Sequence, residues 1–335
     1  MQDNEIKSQP HKNCYLCNSQ GELLYQGLKD RHYSAPGIWN LRRCVNPSCG
    51  LAWLDPRPLK EETVKMYSSY FTHEDETQEE AYMDENKDHG ILMTLYAASK
   101  SFLFTLSGYN KSRQQRDDMY LDKEKPGKIL DIGCGTGSFL NRIRMRGWSV
   151  EGTELDAQAV INAKKIYSLN IHQGDLDDII LPENYYDAVT MSHVIEHVPD
   201  PIGAINKCRS ILKPGGVLVL ITPNINSLGH RIYKSNSLLL DPPRHLYIFS
   251  KKTLEKIATK AGFTSITTLT NATGNLAGLV GSQEIEKYGH YHIGETPTIF
   301  SYIKPLFLQL YEILAFKYNP GIGEELVLIA RKNEK

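Results

Sequence analysis

The chain has 335 residues, a length for about two domains, of which 41% are apolar, 23% charged and 9% aromatic. That composition belongs to a globular protein able to bury a core, and it excludes the disordered, collagenous and disulfide-dense classes. Thirty-eight Lys and Arg against thirty-nine Asp and Glu leave a formal charge of −1, which supplies none of the basic footprint that a nucleic-acid backbone needs.

The opening MQDNEIKSQP is polar and leads into no apolar stretch of the secretory kind, and no run of about 18 apolar residues reads as a membrane span. The expected compartment is the cytoplasm. Thiols stay reduced there, so the six cysteines are read as metal ligands or buried apolar residues before they are read as disulfides. Four fall in the first 49 residues: Cys14 and Cys17 as C-x2-C, then Cys44 and Cys49 as C-x4-C after a gap of 26 residues. Soft thiolates suit zinc, and two tight cysteine turns carried by short strands form a ribbon-like knuckle. ELLYQG and WNLRRC read as those strands, with Asn46-Pro47-Ser48 as a turn. Residues 1–58 are thus expected to form a zinc-ribbon-like module. With four protein ligands no position is left for water, so Zn2+ would be structural. Cys134 and Cys208 lie apart and read as ordinary small residues.

Residues 59–125 read as a helical connector or cap. His73 to Asp88 holds eight acidic residues and one Lys, a solvated face or flap. Ile91, Leu92, Leu95, Tyr96, Phe102, Leu103 and Leu106 then recur at the steps of an amphipathic helix. The polar stretch from Lys111 to Gly127 closes the connector.

From residue 126 to 335 strands and helices alternate. KILDIGCGTGSFLNRIRMRGW runs from a strand, Lys128 to Ile132, through a glycine turn into a helix. Gly133, Gly135 and Gly137 remove the Cβ atoms that keep a ligand away from the backbone at a strand's C-terminal edge. Gly133-x-Gly135-x-x-Ser138 nearly satisfies the dinucleotide pattern G-x-G-x-x-G, so the neighbours decide. Asp131, immediately before the glycines, would repel a pyrophosphate and receive an ammonium group. The second strand, SVEGTELD, carries Glu154 where an acid accepts both hydroxyls of a ribose. A nucleoside bearing an amino acid fits both carboxylates better than a dinucleotide does.

Gly127 to Lys332 resembles a class I S-adenosylmethionine-dependent methyltransferase, through the ordered motifs ILDIGCGTGSF, GTELD, QGDLDD, YDAVTMSHVIEHVPDP, LKPGGVLVLITPN and PPRHLYIFSKKTLEKIATKAGF. It is most similar to the branch with ubiquinone-biosynthesis O-methyltransferases and bacterial methyltransferases of sugars, polyketides and cell-surface glycans. The resemblance implies an α/β fold with a doubly wound, seven-stranded Rossmann-like sheet. It implies S-adenosylmethionine as cofactor, with Asp131, Gly133, Cys134, Gly135 and Gly137 around the methionine part and Asp131 facing its ammonium group. Glu154 would hold the ribose, Asp175 and Leu176 the adenine, and Ser192 and His193 would lie beside the sulfonium. A four-cysteine module joined to such a domain also resembles the sugar C-methyltransferases, whose further C-terminal domain lies beyond the extent of this sequence. The expected acceptor is a small molecule or carrier-linked metabolite, foremost a sugar or glycan precursor, with oxygen, carbon and nitrogen all open as the methylated atom.

A sulfonium leaves as a neutral thioether, so the enzyme has to align a nucleophile roughly 3 Å from the methyl carbon and remove its proton. His193 and His197 of HVIEH and His245 of PPRHLY are the candidate bases. His245 comes first, because the resemblance places its segment across the open side of the cleft. Glu196 and His197 also resemble the E-H pair near which some ubiquinone-pathway relatives hold a divalent ion. FTSITTLT and ELVLIARK read as a terminal antiparallel pair, interrupted by an insertion at about 271–322. Within it, IKPLFLQLYEILAF reads as a helix, apolar save for a stripe around Lys304, Gln309 and Glu312. Too short to span a bilayer, it would pack on the domain, on a second copy in a homodimer, or on a membrane surface through residues 304–317. The alternative function is a non-catalytic protein of this fold whose zinc module binds a protein partner. Methylation of an RNA or a protein is disfavoured by the near-neutral charge and by the lack of an N/D-P-P-Y-type amide-methylating loop, although Thr222-Pro223-Asn224 occupies the equivalent position after the strand.

Overall fold

The computed structural model describes residues 5–67, 109–273, 276–291, 299–316 and 318–334. The chain divides into two compact units, one of residues 1–70 with 180–335 and one of residues 71–179. The connector helix expected over 91–106 and the acidic stretch 73–88 lie outside the described residues.

The N-terminal part of the first unit holds β1 (Ser8–Gln9), β2 (Gly21–Leu28), β3 (Trp39–Cys44), β4 (Ala52–Asp55), β5 (Arg57–Pro58) and the short helix α1 (Thr63–Tyr67). β2, β3 and β4 form an antiparallel meander. Alternation along β3 turns Trp39 and Leu41 inward, where they are buried with Leu51, Trp53 and Leu54, and Cys44 is buried at the strand's end out of that alternation. At Gly21 a Cβ would come within 2.4 Å of the Trp53 ring, so close approach demands glycine. The Trp53 indole N–H donates to the His11 carbonyl at 2.6 Å, and Asp55 accepts from the His11 amide and pairs with Arg42.

The second unit holds α2 (Tyr109–Asp117), β6 (Lys128–Ile132), α3 (Ser138–Arg144), β7 (Ser149–Glu154), α4 (Ala157–Tyr167) and β8 (Ile171–Gln173). β6, β7 and β8 are parallel, and β6 is apolar and buried in the manner of a strand covered on both faces. Asp156 caps α4 by accepting the amides of Gln158 and Ala159. Cys134, Leu140, Val160, Ala163, Leu169 and Ile171 form the core beneath.

The rest of the first unit holds β9 (Tyr186–Ser192), α5 (Pro201–Ile211), β10 (Leu212–Pro223), α6 (Leu228–Tyr233), β11 (Tyr247–Ile248), α7 (Lys251–Lys260), β12 (Ser265–Asn271), α8 (Leu276–Tyr288), α9 (Ile303–Phe316) and β13 (Glu325–Arg331). Four strands run in the order β12-β13-β10-β9, with β9 parallel to β10 and β13 antiparallel to both β10 and β12. This is the expected terminal hairpin, and with β6 to β8 the strands number the seven of the expected doubly wound α/β sheet. β11 adds a fourth strand to the N-terminal meander, opposing Tyr247 to Trp53. Ser250 and Thr253 close a reciprocal capping box at the start of α7.

The insertion contains α8 and α9, and α9 is turned over relative to its sequence pattern. Gln309 and Glu312, part of the expected polar stripe, are 1% and 0% exposed, whereas Phe307 and Leu314 are 68% and 60% exposed. Positions 305, 309 and 312 share one face and 303, 307, 311 and 314 the other, and the first of these faces is the one in the protein. Among the described residues no helix is long and apolar enough to cross a membrane.

Candidate functional site

The two cysteine pairs meet. Cys14 Sγ lies 3.7 Å from Cys49 Sγ, and Cys17 Sγ lies 3.4 Å from Cys44 Sγ. All four sulfurs fall within 4.8 Å of one another, and four sulfurs at the usual Zn–S length of about 2.3 Å would stand about 3.8 Å apart at the corners of a tetrahedron. Each pair sits on a tight turn. Asn18 N–H donates to the Cys14 carbonyl and Cys49 N–H to that of Asn46, with Asn18 and Gly50 at positive φ. Burial pushes the Cys14 and Cys49 thiols up. Cys17 is exposed; burial is outweighed there by Ser19 and the neighbouring thiols, which bring it down to about 6. The donor set fits a closed tetrahedral metal site.

In the second unit the glycine turn is shaped as its sequence requires. Gly133, Gly135 and Gly137 all have positive φ, and the Gly133 and Cys134 amides both donate to the Thr153 carbonyl at 2.8 and 3.0 Å. A Cβ at Gly137 would strike Leu169 at 2.5 Å, while one at Gly135 would meet nothing within 4 Å. Gly137 is therefore glycine for packing, and the space over Gly135 is open. Glu154 ends β7 with Oε2 accepting the Gly135 amide at 2.8 Å and Oε1 accepting the Asp156 amide at 3.0 Å. A carboxylate has about four lone-pair sites, so each oxygen keeps capacity for a diol. Asp131 is buried at the end of β6. Asp175 and Leu176 follow β8, with the Asp175 carboxylate accepting the Asp177 amide. The Cys134 side chain lies in the apolar core, which leaves its backbone as the part facing the turn.

In the first unit, Ser192 ends β9 and His193 follows with φ 54°, a conformation costly for a residue with a Cβ. The His193 ring is held between two carboxylates, Nε2 at 3.0 Å from Glu325 and Nδ1 at 3.4 Å from Glu196. Despite the cost of desolvation, these partners raise its pKa to about 10, so it is an imidazolium at neutral pH. Glu196 is wholly buried. Burial opposes its charge, but His193, His197 and His245 prevail and hold it down to about 2. Thr222 Oγ1 donates to its Oε2 at 2.9 Å.

His197 and His245 stack edge to face with ring centres 4.7 Å apart. His197 Nδ1 is 3.0 Å from the Arg244 carbonyl and 2.9 Å from the Tyr67 hydroxyl; His245 Nδ1 is 2.7 Å from the Leu239 carbonyl. A carbonyl only accepts, so Nδ1 carries the proton in both rings and Nε2 keeps its lone pair. Burial and the adjacent His245 push His197 down to about 4. His245 Nε2 lies 4.0 Å from both Glu196 Oε1 and Asp241 Oδ2, and Glu196 Oε1 takes no hydrogen bond. Donor atoms of Glu196, His197 and His245 lie within 4.8 Å of one another. Two imidazoles with Nδ1–H tied to carbonyls and a carboxylate oxygen shared only with the His193 ion pair form a donor set that fits a divalent ion.

The sequence-predicted residues therefore gather locally: the loop residues with Glu154 and Asp175 in one unit, the three histidines and the four cysteines in the other. Asp30, Asp241, Arg244 and Glu325 have no place in the sequence reading, although Arg244 stands inside the quoted PPRHLY motif. No periodicity marks them: Asp30 and Glu325 act through contacts far along the chain, to Arg244 and His193, and Asp241 through a turn closed by Arg244.

Residues 109–268 match the family described as "Methyltransferase domain". Among curated proteins the chain is similar to the ubiquinone biosynthesis O-methyltransferase of Psychrobacter arcticus, 32% identical over 155 residues, 41% of this chain and 59% of that protein. It is also similar to the ubiquinone biosynthesis O-methyltransferase of Haemophilus ducreyi, 36% identical over 107 residues, 29% of this chain and 45% of that protein. The chain thus spans less than two thirds of the length of either relative. Among solved structures, a SAM dependent methyltransferase from Archaeoglobus fulgidus is 21% identical, covering 67% of this chain and 94% of that one with a TM-score of 0.45.

Proposed function

We propose that residues 109–268, which match the family described as "Methyltransferase domain", form a class I, S-adenosylmethionine-dependent methyltransferase domain, and that the protein transfers the methyl group of S-adenosylmethionine to a small-molecule or carrier-linked acceptor. The observation that carries the reading is the turn itself: three glycines at positive φ, open space over Gly135, Asp131 before it and the Glu154 carboxylate across it. S-adenosylmethionine bound there supplies an activated methyl group on a neutral leaving thioether. Asp131 holds the ammonium of the methionine part, Glu154 holds the ribose hydroxyls, and Asp175 and Leu176 hold the adenine.

On the acceptor side, His245 Nε2 takes the proton of the acceptor hydroxyl, with His197 as its neighbour, and Glu196 stabilises the imidazolium that results. His193, already protonated, serves as a fixed positive charge rather than a base. Glu196, His197 and His245 could instead hold a divalent ion; the Nε2 lone pair of His245 would then be taken up by it, and the ion rather than His245 would activate the acceptor oxygen. The names of the relatives favour a hydroxyl as the methylated group, and the four-cysteine module favours a sugar or glycan precursor as its bearer. The sulfur spacing supports structural zinc. Six free thiols support a reducing compartment, the cytoplasm, and the apolar face of α9 supports a homodimer or contact with a membrane surface.

Thermal denaturation with three probes tests the reading. S-adenosylhomocysteine is expected to raise the transition temperature of the full chain, NAD to leave it unchanged, and Glu154→Ala to abolish the rise. A shift with NAD and none with S-adenosylhomocysteine would overturn it.

A further inference from the structure

Arg244 is 1% exposed, and its guanidinium is fully engaged. Nε and Nη2 donate to the two carboxylate oxygens of Asp241 at 2.8 and 2.5 Å. Nη1 donates to Asp30 Oδ2 at 2.8 Å and to the Met66 carbonyl at 3.1 Å, and the group lies 4.7 Å over the centre of the Tyr33 ring. Asp30 in turn organises the loop after β2: its Oδ1 accepts the amides of His32 and Tyr33 at 2.9 Å, and its Oδ2 accepts that of Ala35 at 2.8 Å. One carboxylate thus fixes a loop of the cysteine-bearing segment and clamps an arginine far along the chain.

Stability alone gives little reason for such a clamp, since well-packed apolar residues often replace a buried ion network at no loss. Its geometry gives a better one. The carbonyl of the clamped Arg244 is the acceptor for His197 Nδ1. The amides of Arg244 and His245 both donate to the Asp241 carbonyl, at 2.9 and 3.1 Å, so the guanidinium fork closes the turn that presents His245. Planar, five-donor arginine can hold two carboxylates and a carbonyl at once, which lysine cannot.

We propose that Asp30 and Arg244 are positioning residues: through a buried guanidinium, the N-terminal segment holds His197 and His245 in the Nδ1–H form with both Nε2 lone pairs available. This rests on the reading of these histidines as the acceptor side. It makes the cysteine-bearing segment part of the reaction apparatus rather than an appendage, because the carboxylate that completes the clamp comes from it. The charged and titratable groups around the two imidazoles are Glu196, His193, Asp241, Arg244, Asp30, His32 and Tyr67; of these, Arg244 supplies the carbonyl that accepts from His197 Nδ1, and Asp241 the carbonyl that accepts the Arg244 and His245 amides.

The test uses the full chain labelled with 15N-histidine and long-range proton–nitrogen correlation spectra at neutral pH. In the native protein His197 and His245 should each show a single Nδ1–H tautomer. Asp30→Asn keeps an acceptor for the loop amides but loses the charge on Arg244, and Arg244→Lys keeps the charge but loses the fork. In both variants the two histidines should pass to averaged tautomer patterns, while affinity for S-adenosylhomocysteine stays within about two-fold. Native tautomers retained in either folded variant, or Nε2–H forms in the native protein, would overturn the proposal. Failure of both variants to fold would also overturn it, by making the clamp a determinant of the fold. Absence of S-adenosylhomocysteine binding would count against the function and leave the tautomer readout intact, so the two failures are distinguishable.

Discussion

The four cysteines and the Glu196–His197–His245 group are both clusters of metal-type donors, yet they are built by opposite means. The cysteines stand on two tight turns whose spacing alone brings each pair together, and only one long-range step, the antiparallel meander of β2 and β3, joins the pairs. The second cluster joins a 3-10 turn after β9 to a turn held by buried charges. Four thiolates on one metal would leave no ligand position free, whereas the second cluster keeps two Nε2 lone pairs beside a carboxylate that also faces His193. On the proposed reading, the difference separates a group that would hold the fold from a group that would act on a ligand.

Metal removal should break the contrast most visibly. Structural zinc sites contribute about 10 kcal/mol or more of folding free energy, so a strong chelator should unfold the meander and expose Trp39 and Trp53, read as a red shift in fluorescence. Elemental analysis should find the metal lost in Cys44→Ser. Tryptophans that stay buried after complete metal removal would put the two clusters on the same footing. His245→Ala should do the reverse, leaving the fold and cofactor affinity near native while methyl transfer, measured by label transfer once an acceptor is in hand, falls by roughly 10²–10⁴.

Acid sharpens the contrast further. Glu196 and Asp241 are held down to about 2, below the ordinary carboxylate value of about 4. Their stabilisation is therefore present above that ordinary value and lost as pH falls toward 2, at about 1.4 kcal/mol per pH unit for each group. Denaturant midpoints measured from pH 5 downward should show this loss, and Glu196→Gln should flatten it. Glu312 is the opposite case: burial, then Glu324 and Glu325, raise it to about 10, so its cost grows as pH rises above the ordinary carboxylate range. Glu312→Gln should make the protein more stable than native at pH 8, by about 1 kcal/mol or more, with the advantage vanishing near pH 4.

Local features were legible in the sequence. The glycine turn, the cysteine pairs and the last two strands each depend on neighbours a few residues away or on strict alternation, and each stands where expected. What depends on a single distant contact was not. β11 pairing with β4, Asp30 reaching Arg244, and Glu325 reaching His193 leave no periodic trace. α9 shows a subtler limit: the period of its pattern was readable, but a pattern with both an apolar and a polar stripe does not say which faces inward when buried carboxylates wait on the protein side.

The most direct measurement is a calorimetric titration of the full chain with S-adenosylhomocysteine, repeated on Asp131→Ala. The account predicts saturable binding at one site, with affinity lowered at least about ten-fold, or 1.4 kcal/mol, by the substitution. A folded protein that takes up no S-adenosylhomocysteine, or a variant that binds it as well as the native chain, would contradict the assignment of the glycine turn and with it the proposed reaction.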